Sequence, residues 1–205
     1  MPQISSYREA LARLRAGNDR FVSNVRSIDA IASQGQRAAL VAGQAPFAIV
    51  LSCSDSRVPA EIVFDCGLGE LFVVRVAGNI VAPSGLGSVE FAVATFGTPL
   101  VVVMGHTHCG AIAATVDAIK NDGLVPTNSI RSIVDRVAPS ITELVRAGAT
   151  EPDLRGAVRA NVRASANQLR HGSRLLEESI VEERLLVVGA LYELETGRVD
   201  FFDGL

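Results

Sequence analysis

Residues 46–59 read PFAIVLSCSDSRVP. The run from Phe47 to Leu51 is wholly apolar, the pattern of a strand buried on both faces inside a parallel sheet. It ends at Cys53, and Asp55 and Arg57 follow at two-residue spacing. Alternate side chains of an extended segment point to one side. A thiol, a carboxylate and a guanidinium are therefore expected together at the mouth of a core strand. An ordinary strand end has no need of three such different groups.

The rest of the chain repeats the strand pattern. ELFVVRVAG (70–78), PLVVVMGH (99–106) and LLVVGALYELETGRVDFF (185–202) are further strand candidates, the last a pair turning at Glu195-Thr196-Gly197. Helical spacing fills the gaps. Residues 5–24 carry Tyr7, Ala10, Leu11, Leu14 and Phe21 on one face, with Ser6 and Glu9 placed for a capping box. This helix could pack on its own domain or on a neighbouring subunit. Residues 27–42 give a weaker helix, and residues 84–97 one with Ser84 at its N-cap. A helix follows Cys109 directly. Residues 128–148 and 151–180 are helical too, the first bent or broken at Pro139 and the second capped by Thr150.

Strands alternating with helices predict an α/β fold, a mainly parallel central sheet flanked by helices. An N-terminal helical arm (1–42) and a C-terminal strand pair complete one domain over 1–205, with the core at 43–205. Ligands bind such sheets beyond the C-terminal strand ends, where the strand order reverses. Cys53 and His106 each end a candidate strand, so they meet in one crevice if those strands are neighbours.

Composition narrows the class. Of 205 residues, 48% are hydrophobic and 20% charged, and the excess of apolar side chains points to a subunit interface. The formal net charge of −3 favours neither nucleic acid nor an anionic membrane as partner. No apolar stretch has the length of a membrane span, and residues 1–17 lack the pattern of a secretory signal. The three cysteines, Cys53, Cys66 and Cys109, are an odd number without an export signal. That argues for the reducing cytoplasm and against a disulfide framework.

Cys53, His106 and Cys109 make a Cys₂His set, a donor combination found in zinc sites that keep an open fourth position. Taken singly, each cysteine reads as a small buried hydrophobe. Two of them with a histidine, all at strand ends, read as ligands. Cys109 also starts a helix, where backbone N–H groups favour a thiolate. Cys66 lacks such company and reads as core. His108 reads as a surface residue or one behind the ligands, and as a candidate proton shuttle. His171 falls on a solvated helix face. Asp55 can ligate a metal or orient its water, and Arg57 can grip it through two parallel hydrogen bonds.

Cys53-Ser-Asp55-Ser-Arg57 followed by Gly105-His106-Thr-His-Cys109-Gly110 resembles the paired signature of the β-class carbonic anhydrases, and the likeness runs over nearly the whole chain. GELFVVRVAGNIV (69–81) and GSVEFAV (87–93) look like family segments as well. The resemblance implies one Zn²⁺ per chain on Cys53, His106 and Cys109, with Asp55 and Arg57 as the catalytic dyad. It implies reversible hydration of carbon dioxide to bicarbonate and a proton by attack of zinc-bound hydroxide. Gln44, in AGQAPF, matches a substrate-contacting glutamine of one family branch. Phe72 and Val76 are expected in an apolar wall for carbon dioxide, with residues of a second subunit. A homodimer or tetramer is implied, with the N-terminal helix crossing to the partner. Another branch carries a tryptophan at the position of Val50, in a pocket for regulation by bicarbonate. This chain has no tryptophan, so that regulation is not expected.

Overall fold

A computed structural model describes residues 6–27, 33–148 and 154–205. Thr150, expected as a helix cap, lies outside them. Strand β1 (Ala48–Ser52) is buried along its whole length. It lies between β2 (Leu71–Arg75) and β3 (Leu100–His106), parallel to both. β4 (Leu186–Tyr192) continues parallel beside β3, and β5 (Val199–Asp203) closes the sheet antiparallel. The order among the described residues is β2-β1-β3-β4-β5. The predicted neighbours β1 and β3 are adjacent, and the chain passes from one side of β1 to the other between β2 and β3. The strand order reverses there, which opens a crevice at the strand ends.

Alternation along β1 explains why it has no polar face. Ile49, Leu51 and Cys53 join one core cluster, with apolar side chains of α4 (Pro83–Phe96), α5 (Gly110–Lys120), α6 (Asn128–Arg146), α7 (Arg155–His171) and α8 (Arg174–Val181). Ala48 and Val50 point the other way, to α1 (Tyr7–Val22) and α3 (Ala60–Val63). A sheet covered on both faces needs apolar residues at every position of its central strands.

Several boundaries differ from the sequence reading. Pro83 occupies the first turn of α4 and Ala82 its N-cap, so Ser84 lies inside the helix; proline lacks the N–H that would go unpaired there. The helix expected over 128–148 is α6, and of the two alternatives at Pro139 the break is excluded, since the helix runs through it. The long 151–180 segment divides at Gly172, and the Ser173 hydroxyl accepts from Leu176 N to start α8. The weaker helix at 27–42 is described only as α2 (Gln34–Ala39) and a 3-10 turn, Leu40–Ala42, with a complete capping box between Ser33 and Gln36.

α1 docks on the core of its own chain. It buries Ala10, Leu14, Gly17 and Asn18. A Cβ at Gly17 would stand 1.9 Å from the Phe64 carbonyl oxygen, so only glycine permits this approach. The Asn18 amide donates to Val63 O and Gly197 O and accepts from Val199 N, joining α1 to α3 and to the β4–β5 turn. Among the described residues, no helix is long and apolar enough to cross a membrane.

Asp65 anchors the same region. Its carboxylate is fully buried and takes Arg20 Nε at 2.6 Å, Arg26 Nε at 3.0 Å and the Ser27 amide at 3.0 Å. Burial opposes its charge, but the Arg20 bond, the Ser27 N–H and the two guanidinium charges outweigh burial and hold the pKa below the usual carboxylate range. A depressed folded-state pKa gives stability that is complete above the unfolded value, about 3.9, and lost as pH falls through the folded one. Asp65→Asn is therefore expected to cost roughly 1.5–3 kcal/mol near neutrality, the usual worth of a hydrogen bond to a charged group. Thermal unfolding from pH 7 down to 3 should show this gap constant above about pH 5 and closing below about pH 4.

Candidate metal centre

Cys53 is the residue after β1, His106 the last of β3, and Cys109 the N-cap of α5. Two adjacent parallel strands and the helix that follows the second thus deliver three side chains to one point. All three are buried, and their ligand atoms lie within 4.8 Å of one another. The two sulfurs are 4.0 Å apart. Tetrahedral zinc with bonds of about 2.3 Å separates two sulfurs by about 3.8 Å, so the pair is already spaced for such an ion. All three cysteines are free thiols.

The imidazole is oriented for a ligand. His106 Nδ1 faces Thr107 O at 2.8 Å, which makes Nδ1 the protonated nitrogen and leaves the Nε2 lone pair free. Nε2 is fully buried and has no hydrogen-bond partner. The Asn79 amide and Ser52 hydroxyl share that lack, but only Nε2 belongs to the sulfur pair's cluster. An orphaned buried acceptor beside two buried thiols fits a metal ion as its missing partner.

The thiols point the same way. A hydrogen bond from Cys109 is the main cause that lowers Cys53 to about 4; burial opposes it, and His106 and the Gly78 and Asp55 amides assist. Cys109 is pushed up, first by that same bond and then by burial, although the Ala111 and Ile112 amides at the start of α5 favour its thiolate. Ionising one sulfur thus opposes ionising the other, and a cation between them would favour both thiolates. Cys66 lies elsewhere, its thiol donating to Phe64 O, and burial raises it to about 12. It is core, as expected.

Asp55 and Arg57 form the expected bidentate pair. Arg57 Nε donates to Oδ1 at 2.9 Å and Nη2 to Oδ2 at 2.7 Å, while the Arg57 backbone N–H also donates to Oδ1 at 2.9 Å. These bonds hold the Asp55 carboxyl well below the usual range against the opposing pull of burial. Oδ2 stands 3.9 Å from His106 Nε2. Because Arg57 engages both oxygens, Asp55 lies beside the cluster rather than within it. Arg57 Nη2 also donates to His108 O, tying the two loops together.

Arg75, at the end of β2, donates from Nε to Cys53 O at 3.1 Å and from Nη2 to Asp55 O at 2.6 Å. It clamps the backbone carrying the first thiol and the carboxylate. The sequence marked it only as part of a family segment. Thr107 is the other support that the motif did not reveal. Its hydroxyl donates to Glu195 and accepts from Leu194 N, fastening the His106 loop to the β4–β5 turn. His108 has a left-handed backbone, is half exposed and meets Glu195 Oε1 at 2.6 Å. It lies at the surface behind the ligands. His171 is exposed beside Glu177.

The expected substrate contacts are dispersed. Val76 follows β2, its amide donating to Ser52 O beside the crevice. Phe72 lies four residues back, where its ring packs on Phe91 and Phe96 of α4. Gln44 is exposed on the loop before β1, at the opposite end of that strand from Cys53. Five extended residues span about 17 Å, so Gln44 stands well away from its own chain's cluster.

A protein-family profile described as carbonic anhydrase matches residues 48–199. Carbonic anhydrase 2 of Mycobacterium tuberculosis is 43% identical over 185 residues, spanning 90% of this chain and 87% of the relative. A carbonic anhydrase of Mycolicibacterium smegmatis is 42% identical, spanning 91% of this chain and 89% of its own. Among solved structures, the β-carbonic anhydrase CafA of Aspergillus fumigatus superposes with a TM-score of 0.74 at 23% identity, covering 97% of this chain and 91% of that one. The fold and the buried thiol–imidazole cluster thus define a class, and the chain belongs to the carbonic anhydrase family, in its β class. Its activity is that of a carbonate dehydratase, a lyase interconverting carbon dioxide and bicarbonate.

Proposed function

We propose that Cys53, His106 and Cys109 hold one zinc ion per chain, and that Asp55, held by Arg57, aims the attacking oxygen at carbon dioxide. The observation that carries this reading is the orphaned, fully buried His106 Nε2 beside two buried thiols whose sulfurs stand 4.0 Å apart. Soft sulfur donors with one imidazole suit zinc. When bound, the ion would acidify water so that hydroxide is available near neutral pH.

The chain's own groups account for the remaining steps of CO₂ + H₂O ⇌ HCO₃⁻ + H⁺. Asp55 carries no proton, so it can only accept. It takes a hydrogen bond from the attacking oxygen and turns that oxygen's lone pair toward carbon. Arg57 keeps the carboxylate charged, fixes its plane and stops it from rotating into the cluster. Arg75 holds the peptides of Cys53 and Asp55 in register. Val76 contributes an apolar edge that suits a weakly polar linear molecule.

The site is completed by a second copy of the chain. Among the described residues, β2 is an edge strand bonded only to β1, and edge strands present unpaired backbone groups. Phe72, Val73 and Val74 on it are half-buried, and Phe91 beside them is 53% exposed. This apolar edge fits another copy docked there, whose Gln44 and Phe72 would supply the substrate contacts that one chain cannot bring together. Three free thiols agree with the reducing cytoplasm.

Three outcomes are expected. Metal analysis should find about one zinc per chain, and alanine at Cys53, His106 or Cys109 should remove it; full occupancy in His106→Ala would show that the donor set is misassigned. Asp55→Ala should retain zinc and lose about 10²–10⁴-fold in kcat/KM for stopped-flow carbon dioxide hydration, the usual worth of a positioned acid–base group. Wild-type kcat/KM in that zinc-replete variant would remove Asp55 from the mechanism. Sedimentation velocity at micromolar protein should show a dimer or larger species, and a monomer with full activity would exclude the shared site.

A further inference from the structure

Helix α7 lies directly on β3 and β4. Two glycines of the sheet permit the contact. A Cβ at Gly105 would stand 2.6 Å from Val158 Cγ1 and 2.7 Å from Val162 Cγ2, and one at Gly189 would stand 2.9 Å from Val162 Cγ1. With no side chains there, the helix sinks far enough to deliver Asn161, which lies between those valines in sequence. Asn161 is 1% exposed, and its Nδ2 donates to Gly78 O at 2.8 Å. Gly78 has a left-handed φ of 70° within the 3-10 turn Ala77–Asn79 that follows β2. On its other side the Gly78 N–H donates to Cys53 Sγ at 3.4 Å. The turn is confined from α5 and α6 as well, since a Cβ at Gly78 would meet Ala111 Cβ at 3.2 Å and Val137 Cγ2 at 3.6 Å.

We propose that Asn161 is a positioning residue for the metal centre. By holding the Gly78 carbonyl it fixes the direction of the Gly78 N–H toward the Cys53 sulfur, and so the charge that this sulfur offers to a metal. The inference rests on Cys53 being a ligand of the ion proposed above. An N–H donor fixed on a sulfur withdraws negative charge from it and sets the direction in which its lone pairs point. Groups that orient a ligand in this way commonly alter metal affinity or activity by 10- to 100-fold. Without Asn161, the Gly78 carbonyl loses this buried partner, and the turn, still held by the Asn79 N–H on Val76 O and by α5 and α6, can shift the Gly78 N–H off the sulfur by a small angle. A core amide that merely satisfied a carbonyl would affect stability alone.

The test uses the full chain. Zinc dissociation constants are measured by competition with a chromophoric chelator, and the thiolate-to-metal charge-transfer band is recorded after substitution with Co(II). Thermal unfolding of the metal-free protein is measured alongside. Asn161→Ala is expected to weaken zinc by about 10- to 100-fold and to shift the Co(II) band. Gly189→Ala, whose Cβ would press on Val162 Cγ1 of α7 at 2.9 Å and on Asp203 Cβ of β5 at 3.0 Å, alters neither a ligand nor Asn161 and should weaken zinc in the same direction. The double variant should show less than the sum of the two effects, because both act through one hydrogen bond. Unchanged zinc affinity and an unshifted band in the folded variants, with only a lower unfolding midpoint, would reduce Asn161 to a core amide and overturn the proposal. Strictly additive effects would overturn it too. If Asn161→Ala does not fold, Gly189→Ala decides alone, and wild-type zinc affinity in that variant refutes the proposal. Wild-type protein that binds no zinc overturns both this proposal and the one it rests on, and the wild-type titration distinguishes that outcome from the others.

Discussion

Two sulfurs 4.0 Å apart and a buried imidazole nitrogen with no partner share one apolar crevice. Burying an unpaired thiolate charge costs several kcal/mol, so ionised sulfurs here call for charge sharing, as in the hydrogen bond from Cys109 to Cys53, or for a cation. The rest of the architecture supports this constraint. The sheet switches direction at β1 and β3 and leaves room for the cluster at their ends. α5 begins at Cys109 and directs its first amides at that sulfur. Thr107 O sets the tautomer that exposes the third donor.

Around the cluster, arginine does work that lysine could not. Arg57 meets both oxygens of Asp55 in a flat bidentate pair and reaches His108 O as well. Arg75 spans two carbonyls of the adjoining loop. A lysine has three donors on one nitrogen and could not hold two separated acceptors in fixed directions. The carboxylate is therefore kept close to the cluster, 3.9 Å from His106 Nε2, while remaining outside it. Orientation of this kind matters for a small substrate such as carbon dioxide, which offers few handles for binding.

Much of this was legible before any coordinates. Short apolar runs separated by helical spacing led to a mainly parallel sheet, and the predicted strands match β1 to β5 within a few residues. Cys53, His106 and Cys109 were readable because strand ends and the helix start place side chains by local rules, and the same holds for the Asp55–Arg57 pair. Helix ends were read less well. Pro83 displaced Ser84 from the cap, because a proline with no N–H to satisfy suits the first turn.

Sequence alone pointed to the fold class, to Cys53, His106 and Cys109 as strand-end and helix-start residues, and to the carboxylate–guanidinium pair, since each reads from short local patterns. Tertiary structure decided what depends on distance between remote segments. It set α1 on its own core through Gly17 and Asn18. It moved Gln44 to the far end of β1 from the cluster, and grouped Phe72 with Phe91 and Phe96 at the sheet edge. It joined Asn161 to Gly78 across 83 positions of the chain. No local pattern encodes that contact, because it exists only where two glycines let a helix settle onto the sheet.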